Sequence, residues 1–345
     1  MTGCMVKMKL RVATVGYILR KWSVDCSPDH SLRGHEYQLW LKDHLAITGC
    51  IMRSWLRVTA PRSTTDRSRC RLDNRTHFNV NEENKHNKRL WRLGFSFERG
   101  GVHTARTMML VDLRALLSFV DAADAAKADY LEAIQTANCL GKRSGKTRTL
   151  TFRHLADLYA LDPGLLVFRA LRFFWQRDVD GQPLLATLCA YTRDPMLRAT
   201  APFVLGVQEG ATITRESMED LIDAQEPGRF SKATLKSTAQ NINSSWTQSG
   251  HLAGRVRKVR ARAVATPGAV SVALLLGYVS GLRGESLFKS DFTRMLDCSF
   301  EKMIELAEDA SRRGWISLKR VGQVVEVLFP NLINAQEMEW LREPN

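Results

Sequence analysis

Two short runs in this chain carry side chains and spacing suited to handling phosphate. The first is Gly141-Lys142-Arg143-Ser144-Gly145-Lys146-Thr147, which reads G-x-x-x-G-K-T. A nucleotide-binding loop needs G-x-x-x-x-G-K-[ST], because that length lets successive backbone N–H groups wrap a phosphate. This run is one residue short, follows a helical segment, and has no apolar strand ending in a magnesium-holding Asp downstream. It reads instead as a cationic loop (Lys142, Arg143, Lys146, Arg148), a secondary candidate for phosphate contact, with Thr149 or Thr151 expected to cap the helix after it.

The second run, ALLLGYVSGLRGESLFKSDF (273–292), is similar to the first box of tyrosine recombinases, where an arginine grips the scissile phosphate; Arg283 would be that residue. Such chemistry also needs a histidine, a second arginine and a nucleophilic tyrosine downstream. The last histidine is His251 and the last tyrosine Tyr278, both upstream, so a degenerate recombinase is the least favoured reading. Other catalytic patterns fail as well. His35-Glu36 has Leu39 where a zinc protease places its second histidine, and neither G-x-S-x-G nor G-x-G-x-x-G occurs. Cys4, Cys26, Cys50 and Cys70 lie too far apart for a zinc set. His103, His154 and His251 are isolated and read as structural. No catalytic residue, metal or cofactor is expected.

Binding chemistry is better represented. With Ser231 as N-cap, a helix reaching Gln248 places Leu235, Ala239, Ile242 and Trp246 on one buried stripe. The other side offers Lys232, Lys236, Gln240 and Asn243, flanked by Asn241 and Ser244. Cations on phosphates give DNA affinity, and amides or hydroxyls at base edges give specificity. A helix over 215–223 precedes it, and a basic run follows in which Arg255, Arg257, Arg260 and Arg262 alternate with Val256, Val259 and Ala261, as in a short hairpin, with Lys258 a further cation along the backbone. Helix, turn, helix and basic hairpin is the order of a winged helix-turn-helix. A polar, solvated helix beside a structural hairpin is the plainer alternative.

Net charge supports a polyanionic partner. Fifty Lys and Arg against 36 Asp and Glu give +14. Much of that excess lies in residues 1–92, which lack periodicity and read as a disordered basic arm or, preferably, as an N-terminal extension with no selected fold. Residues 93–212 read as a helical bundle, 213–266 as the winged-helix-like unit, and 267–345 as helices plus a small β-hairpin near 315–330. The fold class is therefore mainly α. The uncharged run 263–282 is interrupted by Pro267 and glycines and reads as a buried helix, with no membrane partner. An odd count of seven cysteines without a signal peptide points to the cytoplasm.

Taken together, GGVHTARTMML, LDPGLLVFRALRFFW, RDPMLR, FSKATLKSTAQNINSSWTQSGHL and LLGYVSGLRGESLF resemble the BrxA-like family of bacterial BREX phage-defence systems over roughly residues 95–345. That resemblance implies a small, mostly helical accessory protein that binds double-stranded DNA, works with other defence subunits and has no established catalytic site. A protein–protein scaffold without DNA contact is the alternative. The long basic N-terminus departs from the usual shorter members.

Overall fold

Residues 86–92 are helical and send Leu90 into a core that Leu93 and Phe95 continue. The computed structural model describes residues 86–342 apart from 99, 123 and 323. Of the expected extension over 1–92, residues 1–85 lie outside the described residues.

Among the described residues, six helices follow. They are α1 (Leu110–Phe119), α2 (Lys127–Gln135), α3 (Gly145–Tyr159), α4 (Leu166–Trp175), α5 (Gln182–Arg193) and α6 (Pro195–Gly206). Asp162-Pro163-Gly164 separates α3 from α4. Asp194 separates α5 from α6, and its carboxylate accepts from the amides of Met196 and Leu197 while Pro195 starts the new helix. Helix α5 is buried from Leu184 through Thr192 and packs on α3, α4 and α6.

The chain then runs through β1 (Thr212–Ile213), α7 (Arg215–Gln225), α8 (Lys232–Gln248), β2 (Leu252–Ala253) and β3 (Lys258–Arg260). The three short strands form an antiparallel sheet in the order β1-β3-β2, with Thr212 opposite Val259 and Leu252 opposite Arg260. The uncharged run becomes α9 (Pro267–Val279), buried at nearly every position and packed on α4 and α5. No helix among the described residues is long and apolar enough to cross a membrane.

The sequence suggests one helix over 284–296. The structure breaks it into a 3₁₀ segment (Gly284–Lys289) and a single turn, α10 (Asp291–Arg294), because the Ser290 hydroxyl caps a fresh start at the Thr293 amide. Helix α11 (Phe300–Arg312), a hairpin of β4 (Ser317–Val321) and β5 (Val324–Leu328), and α12 (Ala335–Arg342) complete the described residues. The described residues are mainly helical with two small antiparallel sheets.

Several arginines act inside this scaffold. The Arg172 guanidinium donates to the carbonyls of Val120, Asp121 and Ala122 beyond α1. Arg193 donates to Asp157 and Gly94, and Arg198 to Tyr191 and Ser96. Each satisfies carbonyls left over where a helix ends or a loop crosses, so part of the basic composition is structural.

Candidate nucleic-acid interface

Helices α6, α7 and α8 pack against one another. Thr214 caps α7 by accepting from the Ser217 amide, and Ser231 caps α8 by accepting from the Thr234 amide at 3.2 Å. On α8, Ala239, Ile242 and Trp246 are fully buried and Leu235 partly so. The Trp246 indole donates to Thr200 Oγ1 on α6 at 3.1 Å, which fixes the rotation of α8.

That rotation leaves Lys232, Lys236 and Gln240 exposed and Ser244 half-buried. Among the described residues, neither lysine has a salt-bridge partner. Lys236 lies close enough to Glu216 to add to the lowering of its pKa, which comes first from the Arg215 hydrogen bond. Two of the expected contact residues are not on this outer face. Asn243 is only 4% exposed, because Ala239, Ile242, Asn243 and Trp246 fall at i, i+3, i+4 and i+7 and turn inward together. Asn241 is half-buried, and its amide donates to the His103 carbonyl at 3.0 Å.

The hairpin divides its cations in the same way. Arg255 and Arg257 are exposed, and Arg257 Nε donates to Thr212 Oγ1 at 3.0 Å. Lys258 is half-buried and its ammonium donates to the Gly254 carbonyl at 2.7 Å. Arg260 is 5% exposed and forks onto Asp297, so it supports the hairpin from beneath and cannot reach a ligand outside.

Between α8, the first turn of α7 and the hairpin lies an open cleft of about 700 Å³. Gln240 and Ser244 form one wall, Arg255, Arg257 and Lys258 another, and Thr212 to Glu216 the end. Asn243 also lines it, with a buried Oδ1 that has no partner. Residues from 212 to 258 thus converge on one polar, cationic concavity, and the sequence reading missed the β1–α7 contribution. Its only sequence signal is Thr214 placed as a helix cap.

The loop before α3 is a different matter. Ser144 caps the helix, accepting from the Thr147 amide, so neither Thr149 nor Thr151 does. Thr149 donates back to the Gly145 carbonyl and Thr151 is buried. Lys142 is paired with Asp112 at 2.7 Å, and Arg148 is half-buried. Only Arg143 and Lys146 of that group stand exposed. Arg283 turns back onto the carbonyls of Tyr278 and Leu282 and stacks over the Tyr278 ring at 3.7 Å.

Three residues far apart in sequence meet as a serine–histidine–aspartate set. His103 Nε2 is 2.9 Å from Ser245 Oγ, and His103 Nδ1 approaches Asp194 Oδ2 at 2.9 Å, close but off-axis. A nucleophilic serine must give its proton to the histidine. Here the Ser245 hydroxyl donates to the Asn241 carbonyl and accepts from the Met108 amide, so His103 Nε2 is the donor to Oγ. All three side chains are buried, Ser245 at 1% exposure. The set is a structural clasp joining the segment 101–108 to α6 and α8. Burial would raise the Asp194 pKa, but His103 and the amides of Leu197 and Val102 outweigh it and hold the carboxyl below its ordinary value.

Residues 1–47 match the family model of the BrxR transcriptional regulator, C-terminal dimerization domain. The match links that segment to a BREX-associated regulator family. It covers 47 of 345 residues and lies outside the region that resembles the BrxA-like family. No curated protein matches the chain.

Proposed function

We propose that this chain is a non-enzymatic, BREX-associated regulatory protein that binds double-stranded DNA through the α7–α8 pair and the β2–β3 hairpin. The carrying observation is the cleft, where Gln240 and Ser244 of α8 face Arg255, Arg257 and Lys258 of the hairpin, with Lys232 and Lys236 exposed further along α8. The connectivity α6-β1-α7-α8-β2-β3 with sheet order β1-β3-β2 suits a winged helix-turn-helix, in which the second helix of the pair enters the major groove. Gln240 and Ser244 would then face base edges, with Lys232, Lys236, Arg255 and Arg257 on phosphates. The BrxA-like resemblance over 95–345 supports an accessory role beside other defence subunits. The BrxR match supports self-association through residues 1–47.

A salt series of gel shifts on a fixed duplex tests the reading. Lys232→Ala with Lys236→Ala should weaken binding to every sequence and flatten the log–log salt slope by about 0.9 per lost phosphate contact. Unchanged affinity and slope would remove α8 as the contact. A chain that passes through duplex DNA and heparin unretained, yet holds partner subunits at high salt, would be the scaffold instead.

A further inference from the structure

A second, larger cleft of about 930 Å³ shares no lining residue with the α8 cleft. It is bordered by the segment 91–98, α3, the start of α6 and α12. Its volume falls within the range of small-ligand sites, roughly 300–1,000 Å³. One wall comes from Gly101, Val102 and Asp194 of the buried clasp, where the Asp194 carboxylate accepts from the Val102 amide at 2.7 Å. That wall is fixed before any ligand arrives.

The remaining side chains supply three kinds of chemistry. Two indoles offer flat apolar surface: Trp91 is 65% exposed, and Trp340 lies half-buried on α12. Helix α12 is held by its buried Glu337, which receives Arg169 at 2.6 Å. Two guanidiniums are available for an anion. Among the described residues, Arg92 rests on the Trp340 ring at 5.6 Å, and Arg153 meets Asp157 at 3.9 Å. An exposed pair that long contributes little, so Arg153 can change partner. Arg193 lines the cleft too, but it is occupied by the carbonyls of Gly94, Ala156 and Asp157. Exposed Glu98 and Asp157 provide acceptors for hydroxyl groups. His154 adds no charge at neutral pH, because burial first and Arg106 second lower its pKa.

A nucleoside monophosphate presents a flat ring, an anion and a pair of hydroxyl donors in one small molecule. We infer that this cleft binds a nucleoside monophosphate, with its base on an indole, its phosphate on Arg92 and Arg153, and its ribose hydroxyls on Glu98 or Asp157. Base–aromatic stacking, guanidinium–phosphate pairing and carboxylate–ribose hydrogen bonds are each established modes of nucleotide recognition. The carboxylates beside the two guanidiniums oppose the extra charge of a triphosphate. The inference goes beyond the DNA-binding reading, whose failure would leave it standing.

Isothermal titration calorimetry on the full chain tests it with AMP, GMP, CMP and UMP, beside their nucleosides, inorganic phosphate and ATP. At least one monophosphate should bind in the micromolar range, on the order of tenfold tighter than its nucleoside or phosphate alone. ATP should bind more weakly than AMP. Trp91→Ala and Arg153→Ala remove exposed side chains and should each weaken the monophosphate about tenfold. If no monophosphate binds, if the nucleoside, phosphate or ATP matches it, or if both variants keep the parent affinity, the assignment is overturned.

Discussion

Arg260 grips Asp297 with both ends of its guanidinium, at 2.8 and 2.7 Å, directly behind the β2–β3 hairpin. Asp297 also accepts from the Ala263 amide at 3.3 Å, while Arg260 reaches the carbonyls of His251 and Ala261. This pair fastens the strands to the loop between α10 and α11. Removing one partner leaves the other charge buried and uncompensated. Asp297→Ala should therefore lower stability by roughly 3 kcal/mol. Arg260→Met combined with Asp297→Ala should cost clearly less than the sum of the single changes. Urea unfolding of the four proteins measures the coupling, and strict additivity would show that the pair contributes nothing.

His251 predicts a pH dependence. Its ring is fully buried, 3.0 Å from the Met295 carbonyl and edge-on to Trp246. Burial pushes its pKa from 6.5 down to about 4, although Asp297 and the Met295 carbonyl pull upward. Between those values the unfolded chain binds the proton and the folded chain does not. Stability should hold above pH 6.5, fall as the pH drops from 6.5 towards 4, and level off below that. The expected total loss from this group is on the order of 3 kcal/mol. A pH series of unfolding midpoints should show that slope, flattened in His251→Asn.

The clasp of His103, Asp194 and Ser245 predicts an absence of reactivity. A fluorophosphonate probe should leave Ser245 unlabelled in mass spectrometry, since its proton is committed to the Asn241 carbonyl. Labelling at Ser245 would mean that the clasp opens and would revive an enzymatic reading. Gly101→Ala tests the same clasp structurally. Gly101 has φ +89°, and a Cβ there would lie 2.8 Å from both Asp194 carboxylate oxygens. Strain and contact together should cost about 2 kcal/mol or more in unfolding free energy.

Self-association gives a further outcome. If residues 1–47 act as their match suggests, light scattering of the full chain should report twice the mass of one chain, and a chain starting at Asp73 should report a single copy. Equal oligomeric states for the two would remove the N-terminal segment from that role.

The elements around the cleft were legible where the pattern is local. The α8 stripe of Leu235, Ala239, Ile242 and Trp246 follows the helical period, and Ser231 caps where a capping residue should. Asn243 is buried at the cleft wall, and its spacing from Ala239 and Trp246 is that of a core residue. Arg260 is buried for a reason the local sequence does not carry. Its partner Asp297 lies 37 residues away, and nothing in the local run announces that a guanidinium will be paid for by a carboxylate from another loop. The His103–Asp194–Ser245 clasp was illegible on the same ground, spanning three distant segments. The cleft end formed by β1 and α7 carried only its cap as a signal.

The arginines that hold backbone carbonyls have a chemical consequence. A dicarbonyl reagent such as phenylglyoxal needs a guanidinium that can swing free, so it should sort this chain's arginines into two kinetic classes. Arg143 and Arg255 would react promptly, while Arg172, Arg193 and Arg260 would resist until the fold is lost. For this molecule, net charge counted from composition overstates the charge a visiting polymer can actually grasp.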